Sequence, residues 1–491
     1  MSLPRNKTKI VATIGPASES PEMLERLLRA GMNIARLNFS HGDFTGHAER
    51  IVRIRAAAQT TGRRVAIMAD LPGPKMRVGR IAPEPIDLRP GEDFILTSDD
   101  VVGDAQRVSM SFERLPKVVK PGDRLFLNDG MIQIVVERVS GNEVHCKVAV
   151  GGELRSKKGL NLPGIDLGIS AFTGHDRACL EFALAHGVDA VSQSFVETAA
   201  DIDAVRAAAK AVGKCPLIIA KIERADALAH FDEILKAADG IMIARGDLGV
   251  EVPIEEIAII QKQLIARAGL AGKPVITATQ MLESMVSSRL PTRAEATDVA
   301  NAILDGTDCI MLSGESAMGR FPEEAVAMLA SIAAFTETQR PLPRHAGLPA
   351  APQPTTMAEA LSKVVENALE TVSCAAILVP TNSGTTARMI SRFKPSPWII
   401  AFSSEPVVCQ GLVFSYGVHP QSLTSEPENW CEFASACLRE HGVAGSIALL
   451  VAGPSDNTPN ANYRIEFMRV DANLTNVSSY RCPPALAETP A

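Results

Sequence analysis

Between residues 8 and 313 the apolar positions keep two alternating rhythms: short apolar runs bounded by turn residues, then longer stretches with apolar side chains every three or four positions. The short runs predict strands at 8–15, 32–39, 63–71, 188–195, 216–222, 240–245, 273–279 and 309–313. The longer stretches predict helices, among them 21–30, 176–186, 200–212 and 253–271. Eight βα units in succession predict an α/β fold, a closed (β/α)8 TIM barrel spanning residues 1–77 and 161–340, whose functional groups gather at the C-terminal ends of the strands.

The rhythm breaks once. Residues 78–160 read as an inserted all-β domain, a small β-barrel, punctuated by Pro90-Gly91, Pro121-Gly122, Gly141-Asn142 and Gly151-Gly152 as turn signals. Within it, 143–150 alternates so that Val144, Cys146, Val148 and Val150 share the buried face, with Glu143, His145 and Lys147 on the solvated one. A proline-rich linker covers 341–356. Beyond it, 357–491 alternates helix (358–371), strand (375–380), helix (385–393) and strand (398–402), with later strands at 447–451 and 464–470; this predicts a C-terminal α/β sheet domain.

Composition narrows the class. At 491 residues the chain exceeds what one hydrophobic core organises, and its 46% apolar and 21% charged content is that of an ordinary globular protein. No apolar run has the length of a membrane span, and residues 1–9 lack the apolar core of a secretory signal, so a cytoplasmic location without membrane association is expected. A net charge of −7 argues against nucleic acid as a partner. Nine cysteines without a CxxC pair read as structural thiols, with Cys146, Cys215, Cys309 and Cys374 expected to be buried in or beside strands.

The predicted strand ends carry charge. Lys221 and Glu223 share one side of the fifth strand by its period of two, and the sixth strand runs into Ala244-Arg245-Gly246-Asp247, bringing a second carboxylate about one strand spacing, ~5 Å, away. Two carboxylates suit Mg²⁺, which completes its octahedron with water and substrate oxygens, and Gly246 would let a substrate approach the backbone. The trio reads equally well as a structural ion-pair network. Arg36, Asn38, Ser40, Asp70, Ser194, Thr279 and Ser313 at the other strand ends favour a site, since a structural rim needs no such convergence.

In order along the chain stand Ala35-Arg36-Leu37-Asn38-Phe39-Ser40-His41-Gly42, Ala220-Lys221-Ile222-Glu223, Ala244-Arg245-Gly246-Asp247-Leu248-Gly249-Val250-Glu251, Ala278-Thr279-Gln280-Met281-Leu282-Glu283-Ser284-Met285 and Met311-Leu312-Ser313-Gly314-Glu315. With these segments the chain closely resembles the pyruvate kinase family. The resemblance implies transfer of the phosphoryl group of phosphoenolpyruvate to ADP, giving pyruvate and ATP. It implies Glu223 and Asp247 as ligands of Mg²⁺ (or Mn²⁺), Lys221 and Arg36 as charges on the transferring group, and Thr279 near the methylene face of the enolate. Gly246, Ser194 and Ser313 fall in substrate-binding positions. Asn38, His41 and Arg77, with Lys158 on the insert, are implied as nucleotide-phosphate contacts, so that the insert acts as a lid, although Lys157-Lys158 also reads as a solvated turn.

Many family members carry Asp-Thr-Lys-Gly-Pro-Glu after the third strand and require K⁺; here the segment is Asp70-Leu71-Pro72-Gly73-Pro74-Lys75. An ammonium can take the electrostatic role of a monovalent cation near Asn38, Ser40, Asp70 and Leu71, so the resemblance is to the K⁺-independent, bacterial-type branch and no K⁺ requirement is expected. Thr381-Asn382-Ser383-Gly384-Thr385-Thr386 joins a strand to a helix and reads either as a phosphate cradle for a sugar-phosphate or nucleotide effector or as ordinary helix capping. The segment 453–459 departs from the glycine-rich effector loop of fructose 1,6-bisphosphate-activated members. A homotetramer is implied by the resemblance alone. The rivals are a Mg²⁺-dependent mutase or aldolase acting on phosphoenolpyruvate or pyruvate enolates, and a non-catalytic sugar-phosphate sensor; the insert and Lys158 speak against the first, the retained Lys221, Glu223, Asp247, Arg36 and Thr279 against the second.

Overall fold

The computed structural model describes residues 2–340, 356–423, 425–454 and 461–470. The strands β1 (Lys9–Thr13), β2 (Met32–Asn38), β3 (Ala66–Leu71), β4 (Ala190–Gln193), β5 (Leu217–Ile222), β6 (Gly240–Ala244), β7 (Val275–Ala278) and β8 (Cys309–Leu312) pair in parallel and close into a barrel, β8 returning to β1. Alternation along each strand divides the core: Ile10 and Ala12 face the surrounding helices, whereas Val11 points inward with Ile34, Met68, Ile219, Met242 and Ile276. Phe414, from the C-terminal unit, joins that inner layer.

Local chemistry sets the helices. Ser20 caps Pro21–Ala30 through the Met23 amide, and Gly31 (φ 127°) ends it in a conformation that L side chains avoid. Thr173 and Asp176 form a reciprocal capping box at the start of Gly174–Ala185. Where one helix is expected over 253–271, the chain makes a 3-10 turn, Ile254–Glu256, in which the Glu256 N–H donates to the Pro253 carbonyl at 3.0 Å, and only then the α-helix Ile257–Leu270.

The insert closes a six-stranded and a two-stranded sheet around one apolar core that includes Phe94, Leu96, Leu125, Ile134 and Val144. Gly151-Gly152 is not a turn there, since Gly152 begins the strand Gly152–Leu154 paired with Ile86–Leu88. Val150, expected inside, is 48% exposed because the buried alternation of Glu143–Val150 ends at Val148. His145 is only half solvated, held 3.2 Å from both Glu143 and Arg138. A short helix, Leu115–Val118, interrupts the β structure.

In the C-terminal unit, Val418–Ser422, Trp398–Ser403, Ala376–Pro380 and Ile447–Ala452 form a parallel sheet with Arg464–Arg469 antiparallel at its edge. The sequence pattern misses Val418–Ser422, whose Pro420 and polar neighbours suit an edge strand, and the helix Trp430–His441. The linker stretch 341–355 and residues 455–459 lie outside the described residues. Cys146 and Cys309 are buried as expected, but Cys374 is half-buried and Cys215, in the loop before β5, is exposed. Among the described residues no helix is long and apolar enough to cross a membrane.

Candidate active site

At the C-terminal mouth of the barrel, Arg36, Asn38, Ser40, Asp70, Lys75, Ser194, Lys221, Glu223, Asp247 and Thr279 line one cavity of about 90 Å³. Parallel registers bring them together: Asn38 pairs with Asp70 across β2 and β3, and Asp70 with Ser192 across β3 and β4. Asp247 stands beyond the end of β6, in the first turn of the helix Arg245–Glu251, so its carboxylate reaches the cavity from a helix and not from a strand.

An ion chain runs through the buried floor. Arg36 grips Asp70 with Nε, at 2.9 Å, and with Nη2, and donates through Nη1 to Thr13 at 2.8 Å. Lys221 Nζ lies 2.7 Å from Glu223 and 3.4 Å from Asp70, and donates to Ser194 Oγ at 2.6 Å. Ser194 in turn donates to the Leu71 carbonyl at 2.7 Å, so its hydroxyl is committed to aiming Lys221. The second oxygen of Glu223 accepts the Phe195 N–H at 2.8 Å, and that amide is presented by a left-handed backbone (φ 57°) at Phe195.

These charges split the acidities. Burial alone would raise the Asp70 carboxyl, but Lys221 and Arg36 outweigh it and hold it at about 2. Asp247 goes the other way, pushed to about 6 by burial and then by the charge of Glu223. For Lys221, burial favours the neutral amine, yet Asp70 and Glu223 more than compensate and its pKa is raised, so it stays an ammonium. The cavity thus offers fixed cations beside three carboxylates, of which Asp247 holds its proton more tightly than an ordinary carboxyl. A divalent cation between Glu223 and Asp247 would relieve the repulsion between them. Among the described residues no cluster of three or more His, Cys, Asp or Glu could hold a metal; Glu223 and Asp247, both on the cavity wall, could hold one together with substrate and water oxygens.

Thr279 caps the cavity from β7. It accepts the Gly246 N–H at 2.8 Å, donates to the Ala278 carbonyl at 2.6 Å, and sits at φ 66°, a conformation that costs a β-branched residue about 1–3 kcal/mol and persists only where the surroundings over-determine it. The hold comes from Arg245, which donates to the Thr279 carbonyl at 2.8 Å and pairs with Asp298 at 2.7 Å. Gly246 has no positive φ, and a Cβ there would meet only the Thr279 side chain, at an ordinary 3.5–3.8 Å.

Other expected residues stand apart from this cavity. The Ser313 N–H is taken by Glu315 at 2.7 Å, and Ser313 does not line the cavity. Arg77 donates to the Lys157 carbonyl at 2.9 Å and its backbone bridges Gly159, so Arg77 and Lys158 sit where barrel and insert meet. The His41 imidazole is lowered by burial and by Arg77, Lys75 and Arg36 around it. Thr381, Ser383, Gly384, Thr385 and Thr386 lie in the C-terminal unit, where Ser383 and Thr385 hydroxyls bond each other at 2.9 Å and the Gly384 N–H goes to Thr381 at 2.9 Å. Sequence reasoning overlooks Thr13, Ser192, Phe195 and Arg245. Thr13 and Ser192 carry a usable signal, being hydroxyls at inward-facing positions of barrel strands; the left-handed turn at Phe195 carries none.

Comparison with known proteins places the chain in one family. The model of the pyruvate kinase barrel domain matches residues 5–326, and that of the pyruvate kinase alpha/beta domain matches 359–462. The chain is 52% identical to a pyruvate kinase of Thermococcus litoralis over 86% of its length and 89% of the relative's. It is 44% identical to a pyruvate kinase of Geobacillus stearothermophilus over 84% of its length and 71% of that relative's. A crystal structure of a pyruvate kinase from Cryptosporidium parvum superposes with a TM-score of 0.87 at 37% identity, covering 95% of this chain and 97% of that one. By its barrel, its C-terminal domain and these relatives, the chain belongs to the pyruvate kinase family.

Proposed function

We propose that the chain transfers the phosphoryl group of phosphoenolpyruvate to ADP, forming ATP and an enolate that is protonated to pyruvate. The observation that carries this reading is the convergence of Arg36, Lys221, Glu223 and Asp247 on one buried cavity in a chain of this family. Glu223 and Asp247 would hold Mg²⁺ or Mn²⁺, which when bound supplies Lewis-acid polarisation of substrate oxygens. Lys221, kept charged by Asp70 and Glu223, and Arg36, paired with Asp70, face the negative charge that spreads over the phosphoryl oxygens during transfer. Thr279, held in its strained conformation on the cavity wall, stands near the enolate carbon that receives the proton, with Ser194 on the same wall and Gly246 fixing the Thr279 hydroxyl through its N–H.

Nucleotide phosphates bind along Asn38, His41, Arg77 and Lys158, and the insert closes over them as a lid that keeps water from the phosphoryl group. Lys75 supplies the positive charge that K⁺ provides in other members; its place on the cavity wall beside Asn38, Ser40 and Asp70, with Leu71 adjoining, and its charge acting on Asp247 support this. The enzyme works in the cytoplasm as a homotetramer, and the Thr381–386 loop receives the phosphate of a sugar-phosphate or nucleotide effector. A mutase or aldolase has no use for a nucleotide lid, and a non-catalytic sensor has none for the buried Lys221. The test is pyruvate formation from phosphoenolpyruvate and ADP with and without Mg²⁺, for the native enzyme and for Glu223→Gln. The reading fails if activity survives both metal removal and that substitution.

A further inference from the structure

Arg224 follows Glu223 at the end of β5, and its side chain is only 2% exposed. Side chains alternate here, so Lys221 and Glu223 turn into the cavity while Arg224 turns away from it. Its Nη2 donates to the Ile165 carbonyl at 2.9 Å, its Nε lies 3.2 Å from Glu197, and its Nη2 lies 3.5 Å from Asp226. Ile165 belongs to the apolar core of the insert, on the segment that leads from its last strand, Leu160–Asn161, back to the helix Gly174–Ala185. A buried guanidinium is costly unless its fork is used, and here it spans from the catalytic strand to the insert's core.

We infer that Arg224 is a positioning residue: it ties the returning hinge of the insert to the strand end that carries Lys221 and Glu223, and so sets how the insert closes over the nucleotide. The inference rests on the reading of the insert as a lid. Because the adjacent Glu223 and the Ile165 carbonyl are held by one strand end, closure of the insert and alignment of the site are linked mechanically. When that tie is lost, the insert closes loosely and water competes with ADP. In that leak a water oxygen bonds to phosphorus as the bond from phosphorus to the enolate oxygen breaks, giving inorganic phosphate and an enolate that takes its proton from solvent to become pyruvate.

The test uses the full-length enzyme and Arg224→Lys, which keeps a cation facing Glu197 and Asp226 but cannot span to Ile165, with Arg224→Met as a second variant. Three readouts are taken: amide hydrogen exchange over 162–172, KM for ADP against KM for phosphoenolpyruvate, and the ratio of pyruvate to ATP formed. Loss of one hydrogen bond to a charged group predicts exchange faster by about tenfold and a KM for ADP raised about tenfold, with KM for phosphoenolpyruvate within about twofold. Pyruvate should exceed ATP. Unchanged exchange in both variants overturns the tie itself. Faster exchange with unchanged KM for ADP and equal pyruvate and ATP overturns its link to closure. Lys158→Met, run alongside, reports on the lid separately, because a normal KM for ADP in that variant faults the lid and not the tie.

Discussion

Lys221→Met removes the ammonium that bridges Asp70 and Glu223 on the cavity floor while keeping much of the lysine's bulk. In the native site its ammonium stands 2.7 Å from Glu223 and 3.4 Å from Asp70 and faces the same cavity as Arg36. Two unit charges about 4 Å apart at an effective dielectric constant of about 20 interact by about 4 kcal/mol, which corresponds to about a thousandfold in rate if the charge develops in the transition state. Arginine fingers of phosphoryl-transfer enzymes contribute about 10³–10⁵-fold, so the two routes to the magnitude agree. The variant also leaves Glu223 without its cation, and breaking a buried pair costs about 3–5 kcal/mol; Arg36 still neutralises Asp70. The expected outcome is a folded protein with a lowered melting temperature and kcat reduced about a thousandfold or more, while Mg²⁺ still binds by calorimetry. Steady-state pyruvate formation, read beside circular dichroism, decides it. A folded variant that keeps kcat within about tenfold of the native value refutes the role given to Lys221.

Three further outcomes follow from other parts of the molecule. In K⁺-free buffer the enzyme should be fully active, and Lys75→Glu should make its activity depend on K⁺; a large activation of the native enzyme by KCl at constant ionic strength contradicts the role of Lys75. His419, on the edge strand Val418–Ser422 of the C-terminal sheet, is lowered to about 3 by burial, then by Lys9, His441 and Arg64 around it. Its folded state excludes the proton that the unfolded chain takes up near pH 6.5, so stability is intact above that value and declines as pH falls from about 6.5 toward 3. At pH 5 the loss is about 2 kcal/mol, and His419→Gln should flatten the difference between urea midpoints at pH 7.5 and pH 5; an unchanged difference removes His419 as the cause. Lastly, Thr279→Ala frees the Gly246 N–H and should lower kcat more than it raises KM for phosphoenolpyruvate, whereas equal effects on both would place Thr279 in binding alone.

How much of this was legible in the sequence varies with the physics involved. All eight barrel strands are visible as apolar runs because both faces of a parallel strand are buried, and only their ends differ: 188–195 shortens to Ala190–Gln193. The period of two carries Lys221 and Glu223 to one side without any knowledge of the fold, and the same rule sends Arg224 to the other. Asp247 is harder, since a strand reading places it at an end where a helix begins. The left-handed residues Phe195 and Thr279 leave no mark in composition, because their backbone is imposed by Glu223, Gly246 and Arg245 from other segments. The edge strand Val418–Ser422 is hidden for the opposite reason: one polar side of it faces outward and Pro420 breaks the pattern. Cys215 shows that lying beside a strand is not burial, as the loop end of β5 is open to solvent.

The most direct measurement of the central claim is phosphorus NMR of the native enzyme with phosphoenolpyruvate, ADP and Mg²⁺ in K⁺-free buffer, with pyruvate assayed in the same tube. The account predicts that the phosphoenolpyruvate resonance is replaced by the γ-phosphate of ATP, one ATP for each pyruvate, with no accumulation of inorganic phosphate. Inorganic phosphate in place of ATP, a new carbon–phosphorus resonance, or no turnover at all would contradict it.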